Sequence, residues 1–328
     1  MKRSGARMSR LVLLLSLVVA AVAPVHAQGT YPDHALRIIV PFPPGGPADA
    51  LARLAGDELS RAFGQSVVVE NRPGAGGNIG MEQGAKAAPD GYTLTLAPVG
   101  NLTIAPSLYS KLPYDPAKDY APITVLAAVP NVLIVHPSVP AKSLRELIAL
   151  AKAKPGALNY GSGGSGSGPH IVAELFKSQA GVDIVHIPYK GTGPLIAALV
   201  AGDVQLAFGN MFALVPQVKS GRLRALAVTG RERSSALPEV PTVAESGLPG
   251  FEAVGAHGLL APAGTPRRVI DKLNAECVAI LRSPEVRSQL ASDGAEPVGN
   301  TPEQYAAQIA AEMQKWSKLI LERGIRAE

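Results

Sequence analysis

The chain has 328 residues, of which 47% are hydrophobic and 17% charged, and it carries a formal net charge of +5 and one cysteine. Four of its basic side chains fall within the first ten residues, where there is no acidic one, so the remaining chain is close to neutral. This charge balance gives no ground for binding to nucleic acid or to a membrane surface. The length allows two α/β domains, and the lone Cys277 excludes an internal disulfide.

The N-terminus predicts a signal peptide for export. Lys2, Arg3, Arg7 and Arg10 precede an apolar run over 11–23, and a small-residue cleavage site ends at Ala27. The apolar run is shorter than the roughly 20 residues of a membrane span, and no cysteine follows the cleavage site to accept a lipid. We therefore expect residues 1–27 to be a signal peptide and the mature protein to be soluble.

Apolar strands alternate with helical periodicities along the rest of the chain. This rhythm is typical of βαβ units in mostly parallel sheets that are covered on both faces. The predicted strands are 36–40, 67–70, 93–97, 123–128, 132–135, 184–187, 204–208 and 223–228. The fold class is therefore α/β.

The boundaries of three helices can be predicted from their capping residues. Ser143 and Glu146 form a capping pair for a helix over 143–154, and Thr265 is the expected cap of a helix over 266–282. The last helix begins at Thr301, with Gln304 three residues on, and ends at Gly324. Its inward stripe is interpreted as core, as is Cys277 in the helix before it; the stripe consists of Tyr305, Ile309, Met313, Trp316 and Ile320.

Two crossings between lobes are predicted, one near 125–131 and one near 249–256. A chain that leaves one lobe, builds a second and returns gives two such crossings. The expected division is therefore 28–128 with 250–328 in lobe 1, and 129–249 in lobe 2.

Two glycine-proline loops, each between a strand and a helix, are the strongest functional signal. Small residues there let backbone N–H groups at a helix N-terminus approach an anion, and such an end carries about half a positive charge. Two such ends suit a small carboxylate. The candidate residues are Phe42, Gly45, Gly46, Pro47, Ala48 and Asp49 in the first loop, and Ser162, Gly163, Gly164, Ser165 and His170 in the second.

Two of these residues have a structural interpretation as well. An acid near a helix N-terminus stabilises the helix by about 0.3 to 1 kcal/mol without a ligand, so Asp49 is expected to orient its loop. For His170, a capping or supporting role is favoured over proton transfer. Neither loop contains an arginine that could clamp a carboxylate with two hydrogen bonds.

The sequence gives little support for a catalytic function. The second loop fits G-x-G-x-x-G at Gly161, Gly163 and Gly166, but Asp183 precedes its strand, whereas the ribose-binding acid of a dinucleotide site follows one. No G-x-S-x-G, H-E-x-x-H, cysteine pair or G-K-[ST] occurs. No catalytic residue, metal or cofactor is predicted; a dinucleotide-binding protein, or an exported hydrolase using Ser165 with His170, is the lesser alternative.

Several blocks of the sequence together resemble a known family. They are IIVPFPPGGPAD, VVVENRPGAGGNIG, PDGYTLTLAP, PSLYSKLPYDPAKDYAPI, LNYGSGGSGSGPH, HIPYKGTGP, LRALAVTG and PEVPTVAESGLPGFE. In this order and spacing they are similar to Bug-type solute receptors of tripartite tricarboxylate transporters. The resemblance implies a periplasmic, monomeric receptor with the type II periplasmic binding protein fold. In that fold two lobes of mixed, mostly parallel sheets flanked by helices close on a ligand in the cleft between them.

The resemblance also implies a ligand and a partner. The ligand is a small organic mono-, di- or tricarboxylate, aromatic or not, held by the backbone N–H groups of the first loop, partly through ordered waters. The partner is the membrane part of a transporter, or alternatively a signalling protein. The resemblance places Tyr189, Gly191 and Thr192 at the cleft.

Three further positions belong to the expected site. Many members of the family have an acidic residue at the position of Gly209, beside Asn210. Because glycine offers no carboxylate to bind an ammonium group, we expect a ligand without an amino group. Asn101, after the strand 93–97, is a weaker candidate.

Overall fold

The computed structural model describes residues 31–292 and 294–326. The predicted signal peptide therefore lies outside the described residues. From Ala35 onward the described chain belongs to one compact unit. Within the described residues, no helix combines the length and the apolar character that crossing a membrane requires.

Ten strands, eleven α-helices and one short 3-10 helix, Ala75–Gly77, are described. The strands are β1 Leu36–Val40, β2 Val67–Asn71, β3 Thr93–Pro98, β4 Tyr120–Val135, β5 Asn159–Ser162, β6 Val185–Pro188, β7 Leu206–Asn210, β8 Arg224–Val228, β9 Val254–Pro262 and β10 Glu296–Pro297. The helices are α1 Pro47–Phe63, α2 Asn78–Ala85, α3 Gly100–Thr103, α4 Ala105–Leu108, α5 Leu144–Ala153, α6 Gly168–Ala180, α7 Thr192–Ala201, α8 Met211–Lys219, α9 Arg267–Arg282, α10 Pro284–Ser292 and α11 Pro302–Arg323.

The strands form two mixed sheets that share β4. In the first, β1 lies parallel to β2 and β3, and β9 joins antiparallel between β3 and β4. In the second, β5 lies parallel to β6 and β7, while β7 and β8 run antiparallel to β4. The short β10 pairs with β4 in the first sheet. The predicted α/β fold class is confirmed.

β4 links the two sheets. Its residues 120–130 pair with β9, and its residues 131–135 pair with β7. The prediction of two separate strands at 123–128 and 132–135 is therefore wrong. Pro130 stands where the pairing of β4 changes from β9 to β7, so its missing backbone N–H falls at the boundary between two ladders and the strand continues. The residue ranges assigned to the two lobes stay a prediction.

β9 and the helix caps show where the sequence pattern misleads. β9 contains two glycines, which weaken a strand signal, yet Gly258 allows close packing because a Cβ there would lie 2.0 Å from the hydroxyl of Tyr305.

Thr265 does not cap α9; its hydroxyl donates to the carbonyl of Pro262 at 2.7 Å, and Pro266 is the N-cap. The predicted capping box of α11 and the burial of Cys277 are confirmed.

Candidate functional site

A cavity of about 540 Å³ lies where elements from both sheets meet. Its lining comes from the segment that follows β3, from the loop between β5 and α6, from the start of β9, and from α11. The lining includes Phe42, Asn101, Ser165, Ser167, Asn210, His257, Glu312 and Trp316. The volume is within the usual range of small-molecule sites, roughly 300 to 1,000 Å³.

The loop between β5 and α6 brings a helix N-terminus to the cavity. Gly164 and Gly166 adopt positive φ angles of 142° and 76°, which an L side chain disfavours. Ser167 is the N-cap of α6, but its hydroxyl caps no backbone group, and its Oγ is buried without a hydrogen-bond partner. Since the first turn of a helix leaves N–H groups unpaired, this end is suited to an anion.

Two stacked histidines support this loop from behind. Nδ1 of His170 accepts a hydrogen bond from the backbone N–H of Gly166 at 2.9 Å. The ring of His170 stacks on that of His186, with centroids 4.0 Å apart and planes 10° apart. Nε2 of His186 is hydrogen-bonded to Oγ of Ser162 at 2.7 Å. Thus Ser162 and His170 hold the loop in shape and do not line the cavity.

Burial keeps this histidine pair neutral. It lowers the pKa of His170 below its usual range, and burial followed by the neighbouring His170 lowers the pKa of His186 to about 4. A neutral imidazole can accept the hydrogen bond from Gly166 that the loop requires.

The loop over residues 189–192 lies behind the second loop as well. The backbone N–H of Tyr189 donates to the carbonyl of Ser162 at 2.9 Å, and that of Gly191 donates to the carbonyl of Gly163 at 3.0 Å. A Cβ on Gly163 would lie 3.5 Å from the backbone nitrogen of Thr192. None of Tyr189, Gly191 and Thr192 belongs to the cavity lining in this structure.

The first glycine-proline loop contributes only Phe42 to the lining. Oδ2 of Asp49 accepts hydrogen bonds from the N–H of Gly45 at 2.9 Å and from Nε of Arg53 at 3.1 Å, and Oδ1 accepts from Nδ2 of Asn71 at 3.0 Å. Burial alone would raise the pKa of Asp49, but the bonds from Arg53, Gly45 and Asn71 hold it below its usual range. Asp49 therefore orients the loop, while Gly45, Gly46, Pro47 and Ala48 lie outside the lining.

The two asparagines line the cavity and Gly209 does not. Nδ2 of Asn101 donates to the carbonyl of Gly76 at 2.9 Å, and Oδ1 of Asn210 accepts from the N–H of Phe212 at 3.0 Å as the N-cap of α8. A Cβ on Gly209 would point at Leu214 and approach its Cδ1 to 2.4 Å.

Three groups of lining residues escaped sequence reasoning. Apart from Asn101, the lining residues of the segment around α3 and α4 were not predicted; this segment follows the carboxyl end of β3, and the rule that ligands bind beyond such strand ends indicates it. Trp316 was interpreted as core; it is 5% exposed, and it also lines the cavity. His257 and its neighbours in β9 had no signal in the sequence, because β9 itself was not predicted.

The cavity is mostly apolar and holds little charge. Among the described lining residues there is no lysine or arginine, and Glu312 is the one acid. Burial raises the pKa of Glu312, whose Oε1 accepts from Nε2 of Gln308 at 2.9 Å. Burial also lowers the pKa of His257 to about 4. An anionic ligand would thus be held by neutral donors and by the N-terminus of α6. In residues 31–292 and 294–326 no group of three or more His, Cys, Asp or Glu is arranged to hold a metal ion.

Comparison with known proteins gives consistent matches along the chain. The model of the tripartite tricarboxylate transporter family receptor matches residues 51–325. Protein BugT of Bordetella pertussis is 41% identical over 323 residues, which cover 97% of this chain and 99% of BugT.

Two solved structures of similar proteins contain a ligand. Rpa4515 of R. palustris, with adipate, is 38% identical and has a TM-score of 0.83, over 91% of this chain and 100% of that one. MatC from Rhodopseudomonas palustris, with bound malate, is 34% identical and has a TM-score of 0.77, over 88% and 100%.

Proposed function

Since the chain belongs to the family of tripartite tricarboxylate transporter receptors, we propose that it binds a small organic carboxylate in the cavity and delivers it to a membrane transporter. The family is one of periplasmic solute receptors, and a periplasmic location agrees with the predicted signal peptide. Adipate and malate in similar proteins support a carboxylate ligand.

The N-terminus of α6 is the observation that carries the proposal. It opens into the cavity through Gly168 and Pro169, and the Oγ of its N-cap Ser167 is buried and unpaired. A carboxylate oxygen at this point would accept from the Ser167 hydroxyl and from free N–H groups of the first turn. Because the described lining has no cationic side chain, these neutral donors and the helix dipole would provide most of the attraction.

Two serine variants give a matched test of this site. Ser167 caps no backbone group, whereas Oγ of Ser143 accepts from the N–H of Glu146 at 3.2 Å at the start of α5. We expect Ser167→Ala to weaken carboxylate binding about tenfold or more, the usual worth of a hydrogen bond to a charged group, with little loss of stability. Ser143→Ala is expected to lower stability by about 1 kcal/mol and to leave binding unchanged.

The measurement is thermal unfolding of residues 28–328 after denaturation and refolding, which removes co-purified ligand. The panel contains mono-, di- and tricarboxylates, aromatic acids, aspartate, glutamate and NAD. A ligand at one hundred times its dissociation constant stabilises by about 2.7 kcal/mol. A shift with carboxylic acids that lack an amino group supports the proposal. No shift with any acid, or a shift with NAD alone, would contradict it.

A further inference from the structure

A second unpaired polar atom lines the same cavity on β9. Nδ1 of His257 is buried without a hydrogen-bond partner, and the residue is 7% exposed. In the first sheet, His257 lies opposite Pro98 of β3 and Ala127 of β4. It is thus fixed between two neighbouring strands, and it is one of the residues that line the cavity.

The imidazole of His257 can donate one hydrogen bond and accept another. Because burial lowers the pKa of His257 to about 4, the ring is neutral near pH 7 and has one donor and one acceptor nitrogen. A buried polar atom without a hydrogen-bond partner lowers stability. Because most buried polar groups in native proteins are hydrogen-bonded, an unpaired one indicates a partner from outside the chain. Since His257 lines the cavity, a ligand bound there is the candidate partner for its imidazole ring.

His257 and Ser167 lie on elements that are associated with different sheets. Ser167 follows β5 of the second sheet, and His257 lies within β9 of the first. A ligand carboxylate held at the N-terminus of α6 would occupy Ser167, so His257 is left for a different part of the ligand. The intervening lining includes apolar side chains such as Val129, Val172 and Trp316.

We propose that His257 is a specificity-determining residue that hydrogen-bonds a second oxygen substituent of the ligand, remote from the carboxylate at α6. The ligand class is then a carboxylic acid with a hydroxyl, oxo or further carboxyl group, in preference to an acid with a plain hydrocarbon body. This inference rests on the proposed function of the cavity. A site built to bond a ligand oxygen discriminates strongly against the analogue that lacks it, because the buried group is then left unpaired.

The test compares acids that differ only in the second substituent. One series is hexanoate, 6-hydroxyhexanoate and adipate; the other is benzoate, 3-hydroxybenzoate and isophthalate. Titration calorimetry measures the dissociation constants for the native protein and for His257→Phe. We expect the native protein to prefer an oxygenated acid over its plain parent at least tenfold. In His257→Phe the preference falls below about threefold while the plain acid binds as well as before.

Tyr305→Phe is the matched control. The hydroxyl of Tyr305 is also buried without a partner, but Tyr305 does not line the cavity. Both variants exchange a ring with an unpaired polar atom for a phenyl ring, and Tyr305→Phe is expected to keep the native preference. His257→Asn, whose amide retains a donor and an acceptor, is expected to keep part of it. If His257→Phe does not fold, His257→Leu gives the same comparison.

The outcomes separate the two proposals. If His257→Phe or His257→Leu binds the acids with the same selectivity as the native protein, this inference is overturned and the receptor function is left in place. A native protein that binds no acid of either series would overturn both. The ratio between hydroxyl and carboxyl derivatives identifies which oxygen His257 selects.

Discussion

Asp49 fixes the first loop from a buried position. It is 4% exposed, and its carboxylate joins the end of the loop at Gly45, the next turn of α1 at Arg53 and the end of β2 at Asn71. The negative charge of Asp49 therefore links three separate segments. Its lowered pKa means that this stabilisation is present above the unfolded-state pKa and is lost as the pH falls through the folded one.

We expect Asp49→Asn to lower the free energy of unfolding by about 1 to 3 kcal/mol, because it leaves a buried hydrogen-bond network with one acceptor fewer. Urea unfolding at pH 7 measures the loss. Asp57→Asn, an exposed position on the same helix, is the control and should change stability by less than about 0.5 kcal/mol. Equal effects of the two variants would show that the Asp49 network is unimportant.

His186 makes stability depend on pH. Its folded pKa is about 4 because of burial and of His170, whereas an imidazole in an unfolded chain titrates near 6.5. Between these values the unfolded state binds a proton that the folded state does not. The free energy of unfolding therefore falls as the pH falls from about 6.5 to about 4.

His186→Asn should flatten this dependence. Asparagine keeps a hydrogen-bonding group near Ser162 but cannot take up the proton. We expect the slope of unfolding free energy against pH to decrease by at most about 1.4 kcal/mol per pH unit, the effect of one proton. Urea unfolding between pH 4 and 7 measures the slope. Identical slopes for the native protein and the variant would count against a neutral buried His186.

At the scale of elements, α11 carries Glu312 and Trp316 to the cavity. It begins with a capping box in which the hydroxyl of Thr301 accepts from the N–H of Gln304 at 3.2 Å, and Oε1 of Gln304 accepts from the N–H of Thr301 at 2.9 Å. The cap lies at the opposite end of the helix from Arg323, whose Nε contacts Oε2 of Glu174 on α6 at 3.3 Å. Both ends of α11 are thus fixed.

Thr301→Ala is expected to lower the free energy of unfolding by about 0.5 to 2 kcal/mol, the usual cost of losing an N-cap. The midpoint of urea unfolding should fall while its slope stays constant. Thr301→Ser keeps the hydroxyl and should retain most of the stability. Equal losses in the two variants would assign the effect to the methyl group of Thr301 instead of the cap.

At the scale of the whole molecule, β4 belongs to both sheets, and residues beside the point where it passes from one to the other line the cavity. A ligand that contacts elements of both sheets binds more tightly when they approach, so it favours a closed state by its difference in affinity between the two states. Closure about β4 and β9 is therefore the motion we expect to accompany binding.

Ligand binding should shorten the distance between a label in the segment after β3 of the first sheet and a label in the loop after β6 of the second sheet. Lys111 follows α4 and Lys190 precedes α7; both are exposed. Cys277 is buried, and burial raises the pKa of its thiol to about 12, so labels directed to Lys111→Cys and Lys190→Cys would not compete with it. Fluorescence energy transfer with saturating ligand should rise. Unchanged transfer would contradict closure.

The sequence by itself determined most of the elements and the loop that opens into the cavity. Strands and helices were predicted because apolar periodicity and caps such as Thr301 with Gln304 act between residues close in the chain. The glycine-rich turn before α6 was likewise local, since Gly164 and Gly166 need positive φ angles wherever the loop is placed.

The tertiary structure alone decided which residues share the cavity. Residues of β9 and α11 meet the loop before α6 because β9 inserts between β3 and β4 and because β4 passes from one sheet to the other. Such pairing depends on contacts between distant segments, which leave no periodic trace in the sequence. His257 and Trp316 therefore look like ordinary buried residues in the sequence, and only the fold places them at the cavity.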